Sequence, residues 1–232
     1  MKKKRKKKMI IVTGSSRGIG KYLFNELSKY EKVIGIYNKT KPEIEDNYEK
    51  MDITDEESII RFVSENEDVL NDIVLIHCAG NNFNSMLHKL DLENWNDVIN
   101  TNLTSSFLLS KHLLPLMRKQ NYGKIIFFSS VVSLLGPIGT AAYASAKSGL
   151  WGLTKTISTE NVSKNITCNT INLGYFDIGM ISEIPQKILD TIIDSIPMKK
   201  LGKPDDILRT VKYLIDTDYI TGSMININGG LV

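Results

Sequence analysis

Cysteine is nearly missing from this chain. Cys78 and Cys168 are the only two in 232 residues, and with three histidines they form no spacing that suggests a metal site or a disulfide framework. Both thiols are expected in the core, and no metal is expected. Long apolar runs are missing as well: nothing approaches the ~18 residues of a membrane span. The opening MKKKRKKK carries charge without the apolar segment that a secretory signal needs. Membrane insertion and export are set aside, and the expected location is the cytoplasm. After the opening run there is no internal repeat and no low-complexity segment.

The body of the chain also lacks a large charge of either sign. Lys and Arg outnumber Asp and Glu by 29 to 26, but seven of the basic residues lie between Lys2 and Lys8, which leaves 22 against 26 and a net of −4. Residues 1–8 have nothing apolar to bury and read as a disordered, solvated leader, with Met9 opening the folded part. A polyanion-binding or nuclear-targeting arm is the alternative. Nucleic acid is not the expected partner of the body.

What is present suffices for one sizeable core. A hydrophobic content of 42% over residues 9–232 suits a single α/β domain. MIIVTG reads as a buried strand, followed by Gly14, Gly18 and Gly20 and then a helix from Ile19 to Lys29 with Leu23, Phe24 and Leu27 inward. KVIGIYNK, YEKMDI, DIVLIHCAG, KIIFFSS, NITCNTINL and YITGSMININGG supply further strands. Helices are expected after Thr54, over LENWNDVINTNLTSSFLLSKHLLPLMRKQ, over AAYASAKSGLWGLTKTIS and from Pro204. SEIPQKILDTIIDSIP reads as a mobile lid helix. Strands alternating with helices specify a doubly wound parallel sheet of Rossmann type.

Chemistry concentrates in SVVSLLGPIGTAAYASAK, Ser130 to Lys147. Tyr143 and Lys147 are four apart on an Ala-rich helix and share a face. The ammonium should favour the phenolate and bring Tyr143 down from its ordinary pKa of about 10 towards neutrality. Ser130 ends a buried strand, where its hydroxyl can point into the crevice in which open α/β sheets bind ligands. The turn Thr13-Gly14-Ser15-Ser16-Arg17-Gly18-Ile19-Gly20 between strand and helix is a nucleotide signal: glycines let the backbone approach a pyrophosphate, and the helix N-terminus offers free N–H groups. At the end of the second strand stand Tyr37, Asn38 and Lys39, with no carboxylate to repel a 2′-phosphate, and Arg17 and Lys39 can pair with one. The expected cofactor is NADPH.

The order Ser130, Tyr143, Lys147, together with the glycine turn, resembles the short-chain dehydrogenase/reductase family over nearly the whole chain, Met9 to Gly230. The resemblance implies a carbonyl reductase in which Tyr143 donates a proton, Ser130 bonds the carbonyl oxygen, Lys147 holds the nicotinamide ribose and Asn102 feeds a proton relay. It also implies cofactor contacts from Gly14, Ser16, Arg17, Gly18, Ile19, Gly20, Asn38, Lys39, Asp52, Ile53, Ala79, Gly80, Tyr143, Lys147, Gly174, Phe176 and Ile178. The chain departs from the family pattern at His77 and Cys78, where two asparagines are usual, at Leu173 for Pro, and at Ile178 for Thr. SSRGIG, TNLTSSF, SSVVSLLG, YASAKSGL and DYITG are in the style of the branch that reduces 3-oxoacyl groups on acyl carrier protein in fatty-acid synthesis. That branch implies basic residues near the site mouth, where Lys164 matches one position and Asn121 stands for another. It also implies a homotetramer or homodimer. The alternatives are a reductase of another small carbonyl compound or sugar intermediate, and a non-catalytic NADPH-binding protein.

Overall fold

The computed structural model describes residues 8–43, 46–179, 181 and 184–232. Residues 1–7 of the basic leader lie outside the described residues. Its last residue belongs to the body: Lys8 is buried, and its ammonium bonds the Ile215 carbonyl and the Asp216 carboxylate. A long aliphatic stem can bury while its charged head finds partners, which is how Lys8 packs here.

Seven strands form one parallel sheet: β1 (Met9–Thr13), β2 (Lys32–Tyr37), β3 (Tyr48–Lys50), β4 (Ile73–His77), β5 (Gly123–Ser130), β6 (Ile166–Leu173) and β7 (Met224–Ile227), in the order β3-β2-β1-β4-β5-β6-β7. The chain winds outward from β1 to β3 and then returns to lay β4 against β1, which makes their shared C-terminal edge a topological switch point. Residues alternate between two cores, as the period of a strand requires. Ile11, Leu75 and Phe127 face a layer formed by α2 (Glu56–Glu65), α4 (Ser105–Gln120) and α6 (Ala141–Asn161). Ile10, Val12, Val74 and Ile126 face α1 (Gly18–Ser28) and α8 (Pro204–Asp216). Both faces are covered, so β1, β4 and β6 are buried at every position. Among the described residues no helix is long and apolar enough to cross a membrane.

Three local readings change. Asp52 and Ile53 lie beyond the short third strand, and the residue that caps α2 is Asp55, which accepts from the Glu57 and Ser58 N–H groups; Thr54 instead donates to Asp52. The single long helix is broken. It consists of α3 (Leu92–Ile99), a π turn over Asn100–Thr104 and then α4, with the Ser105 N–H reaching five residues back to Asn100. A short helix, α5 (Val132–Leu135), follows β5 and ends in a left-handed Gly136. The segment read as a lid is helical as α7 (Gln186–Ser195), and Met180, Ser182 and Glu183 lie outside the described residues.

Candidate active site

The C-terminal edge of the sheet gathers the predicted residues. Ser130 ends β5, in register with Leu173 of β6. Above it α6 buries Ala142, Ala146, Leu150 and Thr154, a stripe at helical spacing that fixes the rotation of the helix. That rotation turns Tyr143 and Lys147 to the site. Lys147 is buried; its Nζ donates to the Phe128 carbonyl at 2.9 Å and lies 5.5 Å from the centre of the Tyr143 ring. Ser130 Oγ accepts the Val132 N–H at 3.2 Å, and the Ser130 hydroxyl is near enough to the Tyr143 phenol to oppose the upward shift of its pKa. Ser129 Oγ donates to the Lys147 carbonyl at 3.0 Å, so strand and helix are stitched next to Ser130 and at Lys147.

The expected direction of the tyrosine shift is reversed. Burial pushes the Tyr143 phenol up to about 12, and the nearby Ser130 hydroxyl is the opposing effect. Burial also brings the Lys147 ammonium down to about 8, against a small opposing effect of Cys78. The physical reason is desolvation, which penalises the charged form of each group. The ammonium faces a backbone carbonyl and the face of the ring, and spacing on a helix does not report that.

Asn102 sits in the π turn, fully buried, with its Nδ2 directed at the Asn81 carbonyl, Asn81 Oδ1 and the Val98 carbonyl at 2.8, 2.9 and 2.9 Å. Its Oδ1 has no hydrogen-bond partner. A Cβ on Gly80 would stand 2.7 Å from that oxygen and 3.6 Å from Lys147 Nζ, so Gly80 keeps the space between them open. Asn81 thus belongs to the site although sequence reasoning passed over it; its place directly after Gly80 is the one available signal.

The residues expected to meet a nucleotide line the same edge. Gly14 and Gly18 have φ of +65° and +52°, which favour glycine, and a Cβ on Gly20 would lie 2.2 Å from the Gly14 carbonyl oxygen. Helix α1 begins at Gly18 with no side-chain cap and no acidic residue in its first turn. Its free N–H groups and positive dipole end therefore suit an anion. Ser16 is half-buried, Ile19 packs on the α1 core, and Arg17 and Lys39 are exposed. Burial raises the Asp52 carboxyl, but hydrogen bonds from Thr54 and Asn38 and the charge of Lys39 outweigh it, and the group ends below the usual range. Ile53 is buried. The Ala79 N–H donates to Thr13 Oγ1.

Beyond β6, Gly174 packs against Asn228 and Phe176 bridges to Gly202. The Ile178 N–H bonds the Phe176 carbonyl at 2.7 Å, within its own loop. Cys168 is buried as expected; Cys78 keeps some exposure, and burial pushes its thiol well above the usual range.

Lys164 and Asn121 are corrected outright. Asn121 lies two residues before β5 and Lys164 two before β6, beside each other at the N-terminal edge, where the Gly123 N–H bonds the Asn165 carbonyl. Ser130 lies at the opposite end of β5, about 23 Å away along the strand. Neither residue stands at the mouth of its own chain, because in a parallel sheet every residue just ahead of a strand falls on the edge remote from the ligand crevice.

The model of the short chain dehydrogenase family matches residues 8–188. Together with the sheet order and the Ser130, Tyr143, Lys147 and Asn102 cluster, this shows that the chain belongs to that family and is an oxidoreductase acting on CH–OH or C=O groups. It is similar to an acetoacetyl-CoA reductase of Shinella zoogloeoides, 37% identical over 96% of this chain and 98% of the relative. A 3-oxoacyl-[acyl-carrier-protein] reductase of Buchnera aphidicola is 35% identical over 97% of each chain. The nodulation protein G of Azospirillum brasilense is 39% identical over 78% of this chain and 74% of its own. Membership implies a nicotinamide cofactor, and the uncapped, carboxylate-free start of α1 and the unpartnered Asn102 Oδ1 beside Lys147 fit one.

The shift of Lys147 has a consequence for stability. Its ordinary value of 10.5 applies in the unfolded chain and about 8 in the folded one. Below pH 8 both states carry the proton and the full penalty of the buried charge stands. Between about 8 and 10 the folded state releases the proton and the penalty fades, so stability rises, by on the order of 3 kcal/mol at most. Above 10 the raised Tyr143 works in the opposite sense. Urea unfolding at a series of pH values should show this rise in the unmodified chain and not in Lys147→Met; parallel curves would refute it.

Proposed function

We propose that the chain is an NADPH-dependent reductase of 3-oxoacyl thioesters, in the class that serves fatty-acid synthesis. The observation that carries the substrate class is the apolar rim beside Ser130 and Tyr143. Leu134, Leu135 and Ile138, on and after α5, are exposed, and so are Met86 and Leu87 across from them; the Ser85 N–H bonds the Gly139 carbonyl and joins the two loops. Such a rim suits an acyl chain and suits a sugar poorly, since a sugar calls for polar partners. The names of the relatives, one acting on acetoacetyl-CoA and others on 3-oxoacyl groups of a carrier protein, support the same reading.

A nicotinamide cofactor, held at the glycine turn before α1 and beside Lys147, would supply a hydride to the carbonyl carbon. The chain does the rest. Ser130 and Tyr143 bond the carbonyl oxygen, and Tyr143, kept protonated by burial, gives it the proton as negative charge develops. Lys147, close to its deprotonation range, lies beside the emptied phenolate and favours it at that moment. Asn102 and Gly80 leave a polar opening next to Lys147 through which the proton is replaced. Arg17 and Lys39 are the groups for a 2′-phosphate, with the planar fork of Arg17 the stronger of the two.

Turnover of acetoacetyl-CoA, of the same acyl group on acyl carrier protein, and of a panel of ketones and sugars, followed by the absorbance of the reduced cofactor, tests the substrate. Both thioesters should react, because the apolar rim receives the acyl group that the two share. Ready turnover of an unrelated ketone or sugar with inert thioesters would transfer the reading to that compound. NADPH should bind more tightly than NADH, and Arg17→Ala should narrow the gap by about tenfold, as loss of a charge-assisted hydrogen bond does. Equal affinity in the unmodified chain would reject the NADPH assignment.

A further inference from the structure

His77 closes β4 in register with Thr13 of β1, and its imidazole is buried. Nδ1 lies 2.7 Å from Thr13 Oγ1, Nε2 lies 3.1 Å from Ser105 Oγ at the head of α4, and the Phe127 ring stands edge-on at 6.3 Å. Counting protons gives each bond a direction. Ser105 has one hydroxyl proton and donates it to the Thr101 carbonyl at 2.7 Å. Towards His77 its oxygen therefore accepts, and Nε2 carries the hydrogen. Nδ1 then accepts the Thr13 hydroxyl proton, and Thr13 Oγ1 in turn accepts the Ala79 N–H at 3.2 Å. The lengths agree with this order, short where a hydroxyl donates and longer where an N–H does.

The result is a single directed chain from the Ala79 N–H through Thr13, His77 and Ser105 to the Thr101 carbonyl. One end lies under the glycine turn and the Ala79-Gly80 crest. The other holds the π turn, where the Ser105 N–H takes the Asn100 carbonyl and the Ser105 hydroxyl takes the neighbouring one, immediately before Asn102. A second ring proton would force Thr13 to reverse and break the sequence. Burial first and the positive charge of Lys147 second both oppose it, and they hold the ring neutral, with its pKa down at about 3. The other groups packed on the ring, Thr13, Ser105 and Phe127, carry no charge.

We propose that neutral His77, as the Nε2–H tautomer, is a positioning residue that ties the cofactor-side crest to the π turn orienting Asn102. The catalytic half of this rests on the reductase reading above. Two substitutions separate the arms, because an asparagine amide sits at the level of Nδ1 and a glutamine amide at the level of Nε2. His77→Asn keeps the Thr13 arm and should leave the NADPH dissociation constant within about twofold while kcat on acetoacetyl-CoA falls by about tenfold, the scale of one lost hydrogen bond at the reacting site. His77→Gln keeps the Ser105 arm and should do the reverse.

Nitrogen-detected NMR of the unmodified chain should show one Nε2–H imidazole that does not titrate between about pH 5 and pH 8. An Nδ1–H tautomer, a ring that titrates in that range, or two variants that lose affinity, turnover and thermal stability in the same proportion would each overturn the proposal. If neither variant folds, the tautomer measurement decides. An unmodified chain without turnover counts against the reductase reading alone, because tautomer and NADPH affinity are read without substrate.

Discussion

Burying the Lys147 ammonium is the constraint around which this site is built. A cation taken out of water is costly unless it finds strong partners, and here it finds one backbone carbonyl and the face of an aromatic ring. The same burial lifts the Tyr143 phenol, and the side-chain oxygen Oδ1 of Asn102 beside them has no hydrogen-bond partner. An ammonium, a phenol and an amide left short of partners at one point form a place where a polar ligand is favoured, and perturbed groups of this kind are what proton transfer requires. For the proposed role of Tyr143 the neutral phenol is the useful state, since a proton donor must still hold its proton when the carbonyl arrives.

Such a cluster persists only because the scaffold is over-determined. The parallel sheet is covered on both faces, and its central strands end together at the β1–β4 switch point, so Thr13, His77 and Ser130 arrive at one edge on rigid supports. Helix α6 is held by an alanine and leucine stripe and by Ser129. The π turn interrupts the helical run between α3 and α4, and Asn102 sits within it.

Much of this was legible in the residues. Ser130, Tyr143 and Lys147 could be placed because strand ends and four-residue helical spacing are local properties, and the glycine turn because only glycine accepts its backbone. The direction of the Tyr143 shift was not, since desolvation depends on what packs above the helix. Nor was the π turn: Asn100 to Thr104 continue the helical pattern, and one extra residue in a turn leaves no mark on the amphipathic stripe that resumes at Leu108. Lys164 was misplaced for a topological reason, as only strand direction says which edge of the sheet it joins. Lys8 was assigned to the leader by its neighbours' charge, while its own contacts belong to α8.

The central claim, that a buried and protonated Tyr143 is the proton donor, is tested most directly by single-turnover reduction of acetoacetyl-CoA with Tyr143→Phe, alongside a titration of cofactor binding. Removal of one hydroxyl should leave the cofactor affinity within about threefold and slow the reduction by about 10²- to 10⁴-fold, the range of general acid catalysis. A variant that reduces substrate at nearly the unmodified rate would contradict the claim.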